Sequence, residues 1–159
     1  MSNTSNEKIQ PERILVGLDG SKQSRAALAW AARQAALTSA PLTVITTWSF
    51  PPDYGYPVAW PADLDFAADA KSELESSIHD VLGPNSSIAI TALVVEGHPS
   101  LVLVDASKSA ALLVVGSRGH GEFTGMLLGS VSEFVSTHAH CPVVIIRDSD
   151  ETFRRDPAR

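Results

Sequence analysis

The sequence predicts an α/β fold: a doubly wound, five-stranded parallel sheet with helices on both faces. Five short apolar runs alternate along the chain with four longer segments whose apolar residues recur at helical spacing. The runs are continuously apolar, which is typical of strands that helices cover on both faces. Strands that are separated by helices are expected to be parallel and connected by right-handed crossovers.

The first three elements follow directly from local pattern. Residues 14–18 form a continuous apolar run and predict a buried strand. Residues 21–37 predict a helix, with Ser21 as its N-cap and with alanines and a leucine repeated on one face. Leu42–Trp48 is rich in β-branched residues and predicts the second strand.

The middle of the chain continues the alternation. Residues 63–82 carry an apolar stripe at helical spacing, and the Gly-Pro pair at 83–84 predicts where that helix ends. Residues 88–95 predict the third strand. Residues 99–109 predict a short helix, for which Pro99 is well suited to the first turn.

The last three elements define where a ligand would bind. Residues 111–115 predict the fourth strand, and residues 127–139 a helix with Leu127 and His138 among the residues on its inner face. Residues 143–147 predict the fifth strand. Such sheets bind ligands at the carboxyl ends of the strands, where the strand order reverses. The loops after the first and fourth strands are therefore the expected binding loops.

Composition excludes several classes of protein. A net charge of −6 argues against nonspecific nucleic-acid binding, which depends on a basic face. The single cysteine, Cys141, cannot form an internal disulfide. Residues 1–10 lack the apolar core of a secretion signal, and no apolar run approaches a bilayer span, so we expect a cytoplasmic protein with no membrane partner. We expect one domain, residues 12–147, between flexible tails at 1–11 and 148–159.

The segment between the fourth strand and the last helix is rich in glycine. Five glycines fall within the fourteen residues 116–129. Glycine lets successive backbone N–H groups converge on an anion, and the following helix adds its dipole, its free N–H groups and the Ser130 hydroxyl. The segment is neither a Walker A loop nor a dinucleotide fingerprint, because it lacks Gly-Lys-[Ser/Thr] and does not follow the first strand. On this evidence alone it either binds phosphate or serves turn geometry.

The spacing of Gly116, Gly119, Gly129 and Ser130 matches Gly-x2-Gly-x9-Gly-[Ser/Thr], the nucleotide signature of the universal stress proteins. Other segments that resemble this family are Val16-Gly-Leu-Asp19-Gly-Ser21, Glu96-Gly97-His-Pro99 and Pro142-Val-Val-Ile-Ile146. The resemblance extends over residues 12–147. It implies a Rossmann-like sheet of the adenine nucleotide alpha hydrolase-like type and an ATP ligand.

The resemblance also implies which residues contact the nucleotide. The phosphates would lie on the glycine-rich segment, the ligand would be flanked at the end of the first strand, and the backbone of Thr47 would hydrogen-bond adenine. The residues so assigned are Gly17, Asp19, Thr47, Gly116, Ser117, Arg118, Gly119, His120, Gly121, Glu122, Gly129, Ser130 and Val131.

Asp19 needs a separate argument, because a carboxylate beside a triphosphate is repulsive unless a cation bridges them or the carboxylate faces the ribose hydroxyls. Mg²⁺ prefers one or two carboxylates together with phosphate oxygens, so Asp19 is a candidate ligand of Mg²⁺ bound with ATP. The alternative is a structural role, in which Asp19 caps the first helix or forms an Asx-turn with Gly20 and Ser21. The two roles are compatible.

Residues 50–61 form a proline- and aromatic-rich stretch that leaves the second strand at the expected ligand edge. Its aromatic residues, with Trp48, would either lie over adenine or contact a partner; the alternative is a surface loop stiffened by prolines. We expect a partial lid.

The functional expectation is an ATP-binding regulatory or signalling module of the stress response. The sequence shows no committed set of catalytic residues, so enzymatic turnover is not expected as the main role. The alternatives are a nucleotide-independent dimeric interaction protein, a slow ATPase and, more remotely, a phosphotransferase or nucleotidyltransferase. The family usually dimerises through the last strand, and the apolar stretch from Val143 to Arg147 would form such a sheet edge.

Overall fold

The structure is a computed structural model, and it describes residues 13–50, 61, 63–120 and 127–147. The tails expected at 1–11 and 148–159 lie outside the described residues. So do residues 51–60, which make up most of the proline-rich stretch expected to form a partial lid.

Within the described residues the chain forms five strands and four helices in strict alternation. The elements are β1 (Ile14–Gly17), α1 (Lys22–Thr38), β2 (Leu42–Trp48), α2 (Phe66–Leu82), β3 (Ile90–Glu96), α3 (Pro99–Ser107), β4 (Leu112–Gly116), α4 (Ser130–His138) and β5 (Val143–Ile146). The strand order is β3-β2-β1-β4-β5, and every neighbouring pair is parallel. The predicted α/β class with a doubly wound parallel sheet is therefore confirmed.

Helices cover both faces of the sheet and divide the core in two. On one face α1 and α2 pack together, with Leu28 and Leu74 fully enclosed between helices and strands. On the other face α3 and α4 pack together, and Leu103 and Val135 are the buried contacts. None of the described helices is both long enough and apolar enough to cross a membrane.

The start of α1 follows its sequence pattern closely. Ser21 has extended backbone angles, and its hydroxyl accepts a hydrogen bond from the amide of Ser24, as an N-cap residue should. The predicted apolar face is buried and consists largely of alanine, from Ala27 to Ala35. Because alanine side chains are short, the α1 backbone lies close against β1 and β4.

The start of α4 differs from the sequence prediction. The helix begins at Ser130 rather than at residue 127, because Gly129 has extended backbone angles and its amide donates to the Ser117 carbonyl at 2.7 Å. Leu127 precedes the helix and is 75% exposed. His138 was also expected on the inner face but is exposed, with its ring stacked on Phe134.

Gly116, the last residue of β4, allows the closest approach between the sheet and α1. A Cβ atom at this position would lie 2.8 Å from the backbone carbonyl carbon of Gln23 and 2.9 Å from the amide nitrogen of Ser24. These are backbone atoms in the first turn of a helix, so they cannot move aside as a flexible side chain can. Glycine at 116 is therefore a packing requirement of the fold.

We expect Gly116→Ala to lower the free energy of unfolding by about 1–3 kcal/mol, the usual cost of overpacking a tight contact. Gly129→Ala is the matched control, because its Cβ would meet no atom of the described residues nearer than 3.4 Å and its φ is −77°. Urea denaturation of the wild type and of both variants measures how much each substitution changes the free energy of unfolding. Equal stability of the Gly116 variant and the wild type would contradict this packing argument.

Candidate functional site

A cavity of about 620 Å³ opens at the carboxyl end of the sheet, between the ends of β1 and β4. These two strands are neighbours in the sheet although three helices and two strands separate them in sequence. This is the place where the strand order reverses, and the connections after β1 and β4 diverge around it. The cavity is thus at the location that the fold class predicts for a ligand.

Most of the residues assigned from the sequence line this cavity. They are Gly17, Asp19, Thr47, Gly116, Arg118, Gly119, His120, Gly129, Ser130 and Val131. Ser117 does not line it: the residue is buried beneath, with its amide donating to Ile146 and its carbonyl accepting from Gly129. Gly121 and Glu122 lie outside the described residues.

Several lining residues carry no sequence motif. They are apolar and come from β2, β4, α3 and the segment before α4: Ile45, Val115, Leu103 and Leu128. Leu103 reaches the cavity because Gly17 has no side chain; a Cβ at Gly17 would lie 2.8 Å from Cδ1 of Leu103. Sequence spacing alone could not find these residues, since their convergence depends on how α3 packs across the sheet. Gly97 and Pro99, noted only as a family-like turn, also line the cavity.

The backbone of Thr47 faces the cavity because β1 is shorter than β2. Along β2, the carbonyl of Ile45 accepts from Leu18 on the β1 side, and the carbonyl of Trp48 accepts from Gly97 on the β3 side. Since successive residues of a strand turn their amide and carbonyl groups to alternate sides, those of Thr47 point toward β1. The ladder between β1 and β2 ends at the pair Gly17–Ile45, so no strand residue lies opposite Thr47.

The amino end of α4 also borders the cavity. Gly129 is the N-cap and makes no side-chain capping bond, and the first intrahelical donor is Glu133, whose amide bonds the Gly129 carbonyl. The amides of Ser130, Val131 and Ser132 therefore have no partner within the helix. All three residues line the cavity, where their N–H groups and the helix dipole favour an anion.

A buried network holds this helix end in place. The Ser132 hydroxyl lies 2.9 Å from the carbonyl oxygens of both Ser117 and Gly129, to which it donates. The Ser117 carbonyl also accepts from the Gly129 amide at 2.7 Å. Because Ser117 is itself bonded to β5 through Ile146, the end of α4 is tied to the sheet. The amides that face the cavity are therefore preorganised.

Asp19 lies in the loop between β1 and α1, and its carboxylate accepts a hydrogen bond from the Ser21 amide at 3.0 Å. This is the Asx-turn expected as its structural role. Burial raises the pKa of Asp19, but hydrogen bonds from Ser21 and Ser24 and the nearby His120 imidazole outweigh that effect and hold the pKa below its ordinary value of 3.8. Asp19 is therefore ionised at neutral pH.

His120 connects the two loops that border the cavity. Its Nε2 donates to the backbone carbonyl of Asp19 at 2.6 Å, across 101 positions of sequence. The charged side chains that line the cavity are the carboxylates of Asp19 and Glu133 and the guanidinium of Arg118. An anion bound here would therefore be held mainly by backbone dipoles, because Arg118 is the single permanent positive charge among the described residues that line the cavity.

The chain matches the model of the Universal stress protein family over residues 11–147. The protein belongs to this family. Curated relatives support this assignment. A universal stress protein of Mycobacterium tuberculosis strain H37Rv is 38% identical to this chain over 141 residues. The match covers 88% of this chain and 46% of the relative. The chain spans about half the length of the curated relatives it matches.

Solved structures of the family share the fold. A universal stress protein from Lactobacillus plantarum is 26% identical, covers 87% of this chain and 99% of its own, and superposes with a TM-score of 0.69. A universal stress protein solved in complex with cAMP is 28% identical, covers 87% of this chain and 98% of its own, and has a TM-score of 0.65.

We expect the stability contributed by Asp19 to depend on pH in a defined direction. Because its pKa is lower in the folded protein, the ionised carboxylate adds stability above about pH 4, and this contribution is lost as pH falls through the folded-state value. Asp19→Asn keeps an acceptor for the Ser21 amide but cannot titrate. We expect denaturant unfolding from about pH 6 to about pH 2 to show that the free energy of unfolding of the wild type falls relative to that of the variant as the pH decreases. A difference independent of pH would contradict the assignment.

Proposed function

We propose that this universal stress protein binds an adenine nucleotide, with ATP and Mg²⁺ as its expected form, in the cavity between β1 and β4, and that nucleotide occupancy serves as a regulatory signal. The observation that carries the proposal is the cavity itself. It places an apolar compartment, an unpaired strand edge and the open amino end of a helix around a single volume of about 620 Å³. That volume lies within the usual range for a small-molecule site.

The strand edge at Thr47 suits the adenine base. An amide and a carbonyl of one residue, both turned toward β1, present a donor beside an acceptor. Adenine offers the complement, an acceptor at N1 beside the exocyclic amino donor. The apolar groups of Leu18, Ile45 and Val115 would contact the faces and edges of the ring.

The amino end of α4 suits a phosphate group. The amides of Ser130, Val131 and Ser132, together with the Ser130 hydroxyl, would donate hydrogen bonds to phosphate oxygens. The signature glycines support this role, since Gly119 and Gly129 leave the backbone accessible where the loop borders the cavity. Mg²⁺ bound with ATP would be held by phosphate oxygens and Asp19, which is a ligand set that Mg²⁺ favours.

The relative that was solved with cAMP supports an adenine nucleotide as the ligand class, because it is 28% identical to this chain and covers 87% of it. It also makes cAMP a second candidate beside ATP.

We further propose that the protein is a binding module rather than an enzyme. Hydrolysis needs a base that orients a water molecule against the phosphate. Two of the lining groups that could act as a base are His120, whose ring donates to the Asp19 carbonyl, and Asp19, which accepts from the amide of Ser21, the N-cap of α1. Both therefore have structural partners already. The nearest alternative is a slow ATPase, which phosphate release from bound ATP would reveal.

We expect purified protein to release an adenine nucleotide on denaturation, detected by mass spectrometry, and to melt at a higher temperature with Mg-ATP or cAMP. A ligand at a hundredfold excess over its Kd adds about 2.7 kcal/mol of stability. Ser130→Asp should weaken nucleotide binding by about tenfold or more, since it places a carboxylate where a phosphate would lie. The helix dipole favours an acidic side chain in the first turn of α4, so the Ser130→Asp variant should fold normally.

Ser136→Asp is the matched control, because it makes the same change of charge on α4 at an exposed position outside the cavity lining. It should bind nucleotide as the wild type does. If the wild type is empty, and neither Mg-ATP nor cAMP at millimolar concentration changes its melting temperature, the proposed function is wrong.

We also propose that the protein forms a homodimer through β5. This strand is last in the sheet order and pairs only with β4 among the described strands. The carbonyls of Pro142 and Ile146 accept from β4, so by alternation the backbone of Val143 and of Ile145 faces the open edge. An apolar edge with unpaired backbone groups favours pairing with a second copy.

Sedimentation at micromolar concentration should show a dimer for the wild type. Ile145→Pro should shift it toward monomer, because proline removes an amide that faces the edge and leaves the bonds to β4 intact. Ile145→Val keeps the amide and should remain dimeric. A wild-type protein that sediments only as a monomer would exclude this interface.

A further inference from the structure

The hydrogen bonds between β1 and β2 change in kind just beyond the end of β1. The Leu18 amide donates to the Ile45 carbonyl at 2.9 Å, which continues the parallel ladder by one bond. In a parallel ladder, the carbonyl of such a residue accepts from the amide two positions further along the neighbouring strand. The ladder pattern therefore assigns the Thr47 amide to the Leu18 carbonyl.

The Leu18 carbonyl accepts from a side chain instead. The Thr46 hydroxyl donates to it at 2.8 Å, and both residues are buried. No hydrogen bond joins the Thr47 amide to Leu18 or to any other residue that the structure describes. The Thr46 hydroxyl thus occupies the acceptor that the Thr47 amide would otherwise use, and the amide stays unpaired.

Thr46 makes this bond from outside the cavity. Alternation along β2 turns its side chain to the face of the sheet that α1 and α2 cover, where Val44 packs into the core. Leu18 and Thr47 line the cavity, whereas Thr46 does not. A ligand in the cavity can therefore reach the Thr47 amide while the bond from Thr46 to Leu18 remains in place.

We propose that Thr46 is a positioning residue for the nucleotide: its hydroxyl bonds the Leu18 carbonyl and so keeps the Thr47 amide free to donate to adenine. This inference rests on the proposed nucleotide function. A buried carbonyl needs a hydrogen-bond donor, and Thr46 supplies the one that the strand backbone would otherwise have to provide. Recognition of the base thus depends on a side chain that does not contact it.

Amide hydrogen exchange without ligand tests whether Thr46 keeps the amide unpaired. In the wild type, the Thr47 amide should exchange as an amide without a hydrogen-bond partner does. Thr46→Val removes the hydroxyl and keeps the branched shape, so we expect the Thr47 amide to pair with the Leu18 carbonyl. Its exchange should then be at least about tenfold slower. Thr46→Ser keeps the hydroxyl and should exchange as the wild type does.

Calorimetric titration of the full chain with AMP tests the consequence for binding. Thr46→Val should bind AMP about three- to tenfold more weakly than the wild type, the usual effect of one lost hydrogen bond. The wild type should show a similar loss toward an AMP analogue with carbon in place of N1. Thr46→Val should bind AMP and this analogue equally, and Thr46→Ser should bind AMP as the wild type does.

Thr43→Val is the matched control, because Thr43 is a buried threonine of the same strand that does not line the cavity. It should change neither the exchange of the Thr47 amide nor the affinity for AMP. Melting curves without ligand show whether each variant is folded.

Slow exchange of the Thr47 amide in the ligand-free wild type would overturn the inference, whether or not Thr46→Val folds. Equal exchange of this amide in the wild type and in Thr46→Val would also overturn it, as would equal affinity of the two proteins for AMP. A wild type that binds no adenine nucleotide would instead overturn the proposed function. The exchange rates would still decide whether Thr46 keeps the amide unpaired.

Discussion

Parallel hydrogen bonding of β1 to both β2 and β4 is the constraint on which the site depends. Because β1 lies at the centre of the order β3-β2-β1-β4-β5, the helices that follow β1 and β4 lie on opposite faces of the sheet. The connections that follow β1 and β4 therefore run to opposite faces of the sheet and leave a crevice between them. Glycine at 17 and 116 then allows Leu103 and the first turn of α1 to close around it.

Within that crevice, backbone groups supply most of the chemistry. The strand edge at Thr47 and the amino end of α4 present donors and acceptors whose directions the sheet and a buried serine network hold in place. Permanent charge is sparse and mainly negative at Asp19 and Glu133. We expect such a site to recognise the hydrogen-bonding edge of a ligand and to hold an anionic group through backbone donors.

The sequence pattern predicted some element boundaries correctly and others wrongly, and each outcome has a physical reason. The alanine face of α1 and the limits of β2 were predictable, because local periodicity and N-capping at Ser21 specify them. The start of α4 was not, since the apolar pattern continues through Leu127 while the bond from Gly129 to Ser117 delays the helix. His138 was misplaced because it is the last residue of α4, where its ring stacks on Phe134 instead of packing into the core.

The sequence by itself determined the fold class and the signature glycines, because hydrophobic alternation and glycine spacing are properties of short stretches of chain. It also placed most of the residues that we propose contact phosphate on one continuous segment. Only the tertiary structure decided that Leu103 and Ile45 would complete the cavity. It alone placed the Asp19 carboxylate against Gly119, 100 positions away, since contacts at such separation arise only when β1 and β4 pair in the sheet.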